Sequence, residues 1–292
     1  MSSLGGGAIL RGWTWLSSRA TPVVAGLVLL TGCGGGVRRS DASGPTRLTI
    51  AVTEPSPGRF RYFAPTSVAA GLVQIQFTNG GRMSHKAQLW RVGGGHTVDE
   101  AVRVQRDRGA GPLPAWVVAA GGVGATSPGD VGQTVQRLAP GRYYVGGHAR
   151  ERGTVAQITV NGGMGGRALR LPSASAQVTA HEYGFRVSGL RAGRRWIEFR
   201  NVGAEPHQAY FVPIRESASL ADVRSALAGR RIEPPPVDLK RARDTAVVEG
   251  GDEQVTEFEL SPGRYALLCF VRDRAGGPNH LEKGMSSVVM VR

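Results

Sequence analysis

The sequence predicts an all-β chain folded as two tandem β-domains, each interrupted by one short helix. Three observations carry this expectation. Glycine and proline number 43 and 17 of 292 residues, and valine and threonine recur in short runs, which favours strands and turns over long helices. The chain aligns with itself at a constant offset of 122 residues, the mark of a duplicated domain. At this length two domains of ordinary size can each bury a core of their own.

Taken in chain order, residues 21–30 form an apolar run too short to span a bilayer, preceded by Arg11 and Arg19. Residues 1–32 therefore read as an export signal. Leu30-Thr31-Gly32-Cys33 is similar to the lipobox of bacterial lipoproteins, which implies cleavage before Cys33 and a lipid on that cysteine; an ordinary signal peptide or an uncleaved anchor is the alternative. Residues 33–46, rich in Gly, Ser and Arg, then form a flexible tether. The chain is expected to be exported and lipid-anchored to the cell membrane or an outer membrane.

The two copies are residues 47–161 and 176–292, joined by a Gly-rich linker over 162–175. Gly71-Leu72-Val73-Gln74-Ile75-Gln76-Phe77-Thr78-Asn79 matches Gly193-Arg194-Arg195-Trp196-Ile197-Glu198-Phe199-Arg200-Asn201, and His85 falls on His207. Leu138-Ala139-Pro140-Gly141-Arg142-Tyr143 matches Leu260-Ser261-Pro262-Gly263-Arg264-Tyr265 in the same register. Alternation in Trp196-Ile197-Glu198-Phe199 predicts a strand, and the Pro-Gly pairs predict the turns before the next ones. Ser219 before Leu220-Ala221-Asp222, and Thr97 before Val98-Asp99-Glu100, predict a capped amphipathic helix in each copy. Cys269 corresponds to Gly147, and the segment from there to the last strand is about nine residues shorter in the first copy. That copy lacks the cysteine, the second histidine and the methionine together.

The chain has two cysteines, and with Cys33 acylated Cys269 has no disulfide partner. A lone thiol in an oxidising setting calls for burial or a metal. After Cys269 and ten intervening residues comes His280, then Met285, while His207 lies sixty-two residues upstream of the cysteine. One thiolate, two imidazoles and one thioether form a donor set suited to copper cycling between Cu(I) and Cu(II).

Phe199-x-Asn201 followed by Pro206-His207, Pro262-Gly263-x-Tyr265-x-x-x-Cys269, and His280-x-x-x-Gly284-Met285 together resemble the cupredoxins, Greek-key β-sandwiches that bind one type 1 copper. The resemblance implies two tandem Greek-key cupredoxin-like sandwiches, the first without copper ligands. It also implies that Cys269 is the thiolate ligand, that His207 and His280 complete a trigonal plane, and that Met285 is a weak axial ligand. Two departures stand out. The loop from Phe270 to Asn279 is long and charged, and Gln208 follows His207 where plastocyanin-like chains often have asparagine. His85 reads as vestigial or solvent-exposed, His148 makes a poor partner for it, and His96 and His181 read as surface residues.

Formal charge is +14, or +12 once Arg11 and Arg19 leave with the signal, and lysine contributes only three of the cations. Such a surface favours acidic redox partners of the cell envelope or anionic lipid headgroups, and nucleic acid is not expected for an exported lipoprotein. Tandem cupredoxin domains also build nitrite reductases and multicopper oxidases, which need further copper held by clustered histidines. Here there are six histidines, none in a His-x-His pair, and Cys269 is flanked by Leu268 and Phe270. The expectation is a one-electron carrier with one type 1 copper, not an enzyme. A copper-handling lipoprotein or a metal-free interaction module is the alternative, and the lack of a Met-rich or His-rich tract favours the carrier.

Overall fold

The computed structural model describes residues 44–107, 111–147, 152–162 and 170–292; Cys33 and His148 lie outside them. The first copy contains β1 (Thr46–Ser56), β2 (Arg59–Phe63), β3 (Ser67–Ala69), β4 (Gly71–Gly80), β5 (His85–Val92), α1 (Val98–Asp107), β6 (Val117–Thr126), β7 (Val131–Leu138), β8 (Gly141–Gly146), β9 (Arg152–Thr154) and β10 (Ala156–Asn161). The second contains β11 (Ala176–His181), β12 (Gly184–Ser188), β13 (Gly193–Asn201), β14 (Tyr210–Pro213), α2 (Leu220–Leu227), β15 (Arg243–Asp244), β16 (Glu253–Leu260), β17 (Gly263–Leu268) and β18 (Ser286–Val291). Among the described residues the chain is all-β with one short α-helix in each copy, and no helix there is long and apolar enough to cross a membrane.

Alternation along the strands builds two sandwich cores. Leu48, Ile50 and Val52 of β1 and Val73, Ile75 and Phe77 of β4 point into the first, as period-2 side-chain geometry requires. Val178 and Ala180 of β11 and Ile197 and Phe199 of β13 fill the second, which also encloses Cys269 and Met285. Both predicted helices form where their caps stand. Ser219 and Asp222 make a reciprocal capping box, and the Thr97 backbone N–H donates to Glu100 while the Glu100 N–H donates to Thr97 Oγ1.

Paired structural details follow the repeat. The Tyr143 hydroxyl donates to Ala139 C=O and the Tyr265 hydroxyl to Ser261 C=O, each at 3.0 Å, which ties down the Pro-Gly turn between them. Asn79 Nδ2 donates to Met83 and Thr126 carbonyls, and Asn201 Nδ2 to Glu205 and Val248 carbonyls. Register also accounts for the shorter end of the first copy. Val160 lies opposite Gly141 and Val291 opposite Gly263, so an offset of 122 on β8 and β17 becomes 131 on the final strands.

One sheet of each sandwich joins the other edge to edge. The result is a nine-stranded sheet, β12-β11-β13-β16-β7-β4-β1-β2-β9, in which β7 and β16 pair antiparallel. The remaining sheets are β3-β10-β8-β5-β6 and β15-β14-β17-β18. A second junction runs between β6 and residues 244–249. Gly121 N–H donates to Val247 C=O at 3.0 Å, and the Gln88 amide holds both the N–H and the C=O of Val247 at 2.8 and 2.9 Å. Lys86 forms a buried ion pair with Asp244. Gly124 lacks a side chain for a direct reason: a Cβ there would sit 1.8 Å from the Asp244 carbonyl oxygen.

Candidate metal centre

His207 lies in the crossing between β13 and β14. Its N–H and C=O pair with the C=O and N–H of Val248, each at 3.0 Å, so the residue is fixed by the same segment that β6 holds from the other side. Asn201 organises the turn before it, accepting from Gly203 N–H at 3.0 Å while donating to Glu205 C=O at 2.7 Å. Cys269 follows β17 directly. His280 is reached by the loop after it, where the His280 N–H donates to Val271 C=O and the Met285 N–H to His280 C=O, both at 2.8 Å.

These turns bring three donor atoms together. Cys269 Sγ lies 3.8 Å from His207 Nδ1 and 3.5 Å from His280 Nδ1, and the two Nδ1 atoms are 3.0 Å apart. Among the described residues this is the group of three or more such side chains arranged to hold a metal ion. His207, Cys269, His280 and Met285 are all 0% exposed. Met285 packs in the same core cluster as Cys269. Of the residues singled out from the sequence, the structure therefore gathers His207, Cys269 and His280, buries Met285 in the core cluster that contains Cys269, and leaves Cys33 outside its description.

Electrostatics make the donor set neutral without a metal. Burial, with the neighbouring His280, depresses the His207 pKa to about 4. Burial also lowers that of His280, with Asp273 opposing the shift. The Cys269 thiol is pushed up to about 12 by burial, against the backbone N–H groups of Gln208 and Val271 that point at its sulfur. Three donor atoms thus converge among fully buried side chains, an arrangement that suits a soft divalent or monovalent metal. Sulfur with two imidazoles accepts copper as well as zinc.

The far side of each imidazole faces a carboxylate that sequence reasoning did not identify. His280 Nε2 lies 2.8 Å from Asp273 Oδ1, and Asp273 is held in turn by the Tyr183 hydroxyl at 2.9 and 3.0 Å and by Lys283. Burial would raise the Asp273 pKa, but the hydrogen bonds from Lys283, Tyr183 and His280 outweigh it and keep the carboxyl low. His207 Nε2 lies 3.4 Å from Glu182 Oε1, whose carboxylate accepts the Ala204 and Glu205 N–H groups at 2.6 and 2.8 Å. An acid inside the ligand loop, seven residues before His280, was the one available sequence signal.

The charged loop from Phe270 to Asn279 is anchored at its middle. The Arg274 N–H donates to Glu205 Oε2 at 2.9 Å, and its guanidinium donates to Pro114 C=O at 2.8 Å, to Val117 C=O at 3.3 Å and to Glu249. The loop thereby bonds to the first copy.

In the first copy His85 is 1% exposed, which corrects the expectation of a solvent-exposed histidine: its ring packs edge-on against Phe60 at 4.4 Å. Glu54 there accepts Arg82 N–H at 2.8 Å, the counterpart of the Glu182 bond to Ala204. The scaffold of the site persists where Gly147 has replaced the cysteine. His96 is exposed and stacks on Trp116 at 4.1 Å, and His181 is half-buried.

No family model matches the chain, and no curated protein matches it. Among solved structures, reduced auracyanin from Roseiflexus castenholzii is similar at 19% identity over 40% of this chain and 94% of its own, with a TM-score of 0.28. Auracyanin A, a "blue" copper protein from Chloroflexus aurantiacus, shares 19% identity over 40% of this chain and 96% of its own, at 0.27. Copper nitrite reductase from Nitrosomonas europaea shares 14% over 85% and 94%, at 0.24. The described residues form two tandem β-sandwiches, the second enclosing a His-Cys-His group whose donors suit copper.

Proposed function

We propose that this chain is an exported, lipid-anchored blue-copper protein that carries one electron at a time, with a single type 1 copper held by His207, Cys269 and His280 and Met285 as the axial ligand. The observation that carries the reading is the convergence of Cys269 Sγ and two Nδ1 atoms, 3.0 to 3.8 Å apart, inside a β-sandwich core. Bound copper would supply one-electron exchange between Cu(I) and Cu(II) in a donor set that suits both states. The residues supply the rest. Gln208 and Val271 N–H groups aimed at Cys269 Sγ stabilise a thiolate there, and burial keeps water from the donors. A carrier is favoured over an oxidase or reductase because the six histidines include no His-x-His pair and Cys269 has no adjacent histidine. The excess of arginine supports an acidic redox partner, and the Leu30-Thr31-Gly32-Cys33 stretch supports the lipid anchor.

The test is a visible spectrum and metal analysis of the chain from residue 47 onward after addition of Cu(II). A strong thiolate-to-copper band with about one copper per chain, lost in Cys269→Ser with the fold retained, is the expected result. Full copper occupancy without colour would sink the blue-site assignment. Separately, fatty-acid labelling of the full-length protein should disappear in Cys33→Ala; labelling that persists would contradict the anchor.

A further inference from the structure

Both imidazoles of the donor set present Nδ1 inward, and each has an acidic side chain at its other nitrogen. The two contacts differ in quality. His280 Nε2 to Asp273 Oδ1 is 2.8 Å, a hydrogen-bond distance, whereas His207 Nε2 to Glu182 Oε1 is 3.4 Å and makes no hydrogen bond. Asp273 is itself over-determined. The Tyr183 hydroxyl reaches both of its oxygens, Lys283 pairs with Oδ2, and Lys283 also donates to the Tyr183 hydroxyl at 3.0 Å. The Lys283 ammonium stands 4.6 Å from the Tyr183 ring centre, and that ring lies 5.2 Å from the His280 ring. Asp273 thus cannot swing away from His280 without breaking several bonds at once.

An ionised carboxylate accepts and does not donate, so the proton of a neutral His280 must sit on Nε2. Nδ1 is then left as a lone pair facing Cys269 Sγ and His207. We infer that Asp273 is a positioning residue for the metal centre: it fixes the tautomer and ring angle of His280, and its charge strengthens His280 Nδ1 as a donor. Tyr183 and Lys283 hold Asp273 in that role. Glu182 plays a weaker version of the part for His207, because its contact is longer and its charge is shared with two backbone N–H groups. A carboxylate behind a ligating imidazole favours the higher oxidation state of a metal on the other side, so removing the charge weakens Cu(II) more than Cu(I) and raises the reduction potential.

This inference rests on the copper reading above, and its test separates the two. In the intact chain loaded with Cu(II), Asp273→Asn, close to isosteric, should keep the charge-transfer band, lose roughly 10–100-fold in Cu(II) affinity measured by chelator competition, and show a higher potential. Asp273→Glu, which retains the charge, should recover part of the loss, and Glu182→Gln should shift both readouts in the same direction by less. Unchanged affinity and potential in Asp273→Asn, beside a coloured wild type, would overturn the inference while leaving the copper reading standing. Should the wild type take up no copper, the copper reading fails and the ring proton decides alone. Nitrogen-15 NMR of the metal-free protein should find His280 protonated on Nε2 and should find that preference lost in Asp273→Ala; a wild-type His280 protonated on Nδ1 overturns the assignment.

Discussion

The hydroxyls of Thr134 and Thr256 meet at 3.0 Å across the seam between the two copies, and the two residues occupy the same place in their respective repeats, 122 positions apart. A residue paired with its own counterpart lies on a local two-fold relation. The antiparallel join of β7 to β16 is therefore the geometry of a symmetric dimer interface, made within one chain.

The two threonines should respond unequally to loss of the hydroxyl. Thr256 Oγ1 also receives Gln254 Nε2 at 3.2 Å, so Thr256→Val leaves two buried groups without their partner, and about 1–3 kcal/mol of stability should be lost. Thr134→Val leaves Thr256 bonded to Gln254 and should cost about 1 kcal/mol. Urea unfolding of both variants measures this; equal losses would mean that the seam is not held through these hydroxyls.

Met285→Leu should keep copper and colour but shift the reduction potential, because an axial thioether contributes little to affinity and more to the balance between oxidation states. His207→Ala should weaken copper binding outright. Voltammetry with parallel visible spectra checks both, and a methionine variant unchanged in potential would remove Met285 from the ligand set.

Stability of the metal-free chain should be greatest on a plateau between the ordinary histidine and cysteine pKa values. His207 is depressed from 6.5 to about 4. The unfolded chain thus binds the proton more readily, and stability present above pH 6.5 is lost as pH falls toward about 4. Cys269 is raised from 9.0 to about 12, so stability present below pH 9 is lost as pH rises toward about 12. Each group contributes on the order of 3 kcal/mol across its window. Denaturant midpoints between pH 4 and pH 11 test the shape; a midpoint flat from pH 7 down to pH 4 would contradict the depressed histidine.

Arg274→Ala should loosen the loop from Phe270 to Asn279 while both sandwiches stay folded. Its charged hydrogen bonds to Pro114, Val117 and Glu249 are partly buried, and their loss should cost about 1–3 kcal/mol. Hydrogen exchange of loop amides should accelerate and copper should dissociate faster. Unchanged loop protection would show that the contacts to the first copy are incidental.

Much of the architecture was legible because its causes are local. The 122-residue offset, the caps at Thr97 and Ser219 and the alternating cores of β4 and β13 are written in neighbouring residues. The gathering of His207, Cys269 and His280 was legible through the resemblance of their motifs to those of the cupredoxins. Asp273, Glu182 and Arg274 were not, since each acts through a contact to a loop far away in sequence, and an acid or arginine in a glycine-rich loop looks like solvated surface. The burial of His85 was missed for a related reason: its environment is set by Phe60, across the sandwich, and not by the absent cysteine. The edge-to-edge join was also hidden, because whether a strand edge finds a partner depends on the opposite copy's edge.

Residues 244–249 lie between two clients, β6 of the first copy on one side and the backbone of His207 on the other. A C-terminal half severed from its companion would leave the Val247 amide without Gln88 and the β16 edge without β7. Two such fragments would restore a ladder by pairing this edge with each other, so the first sandwich covers in advance the β16 edge through which separated C-terminal halves would dimerise.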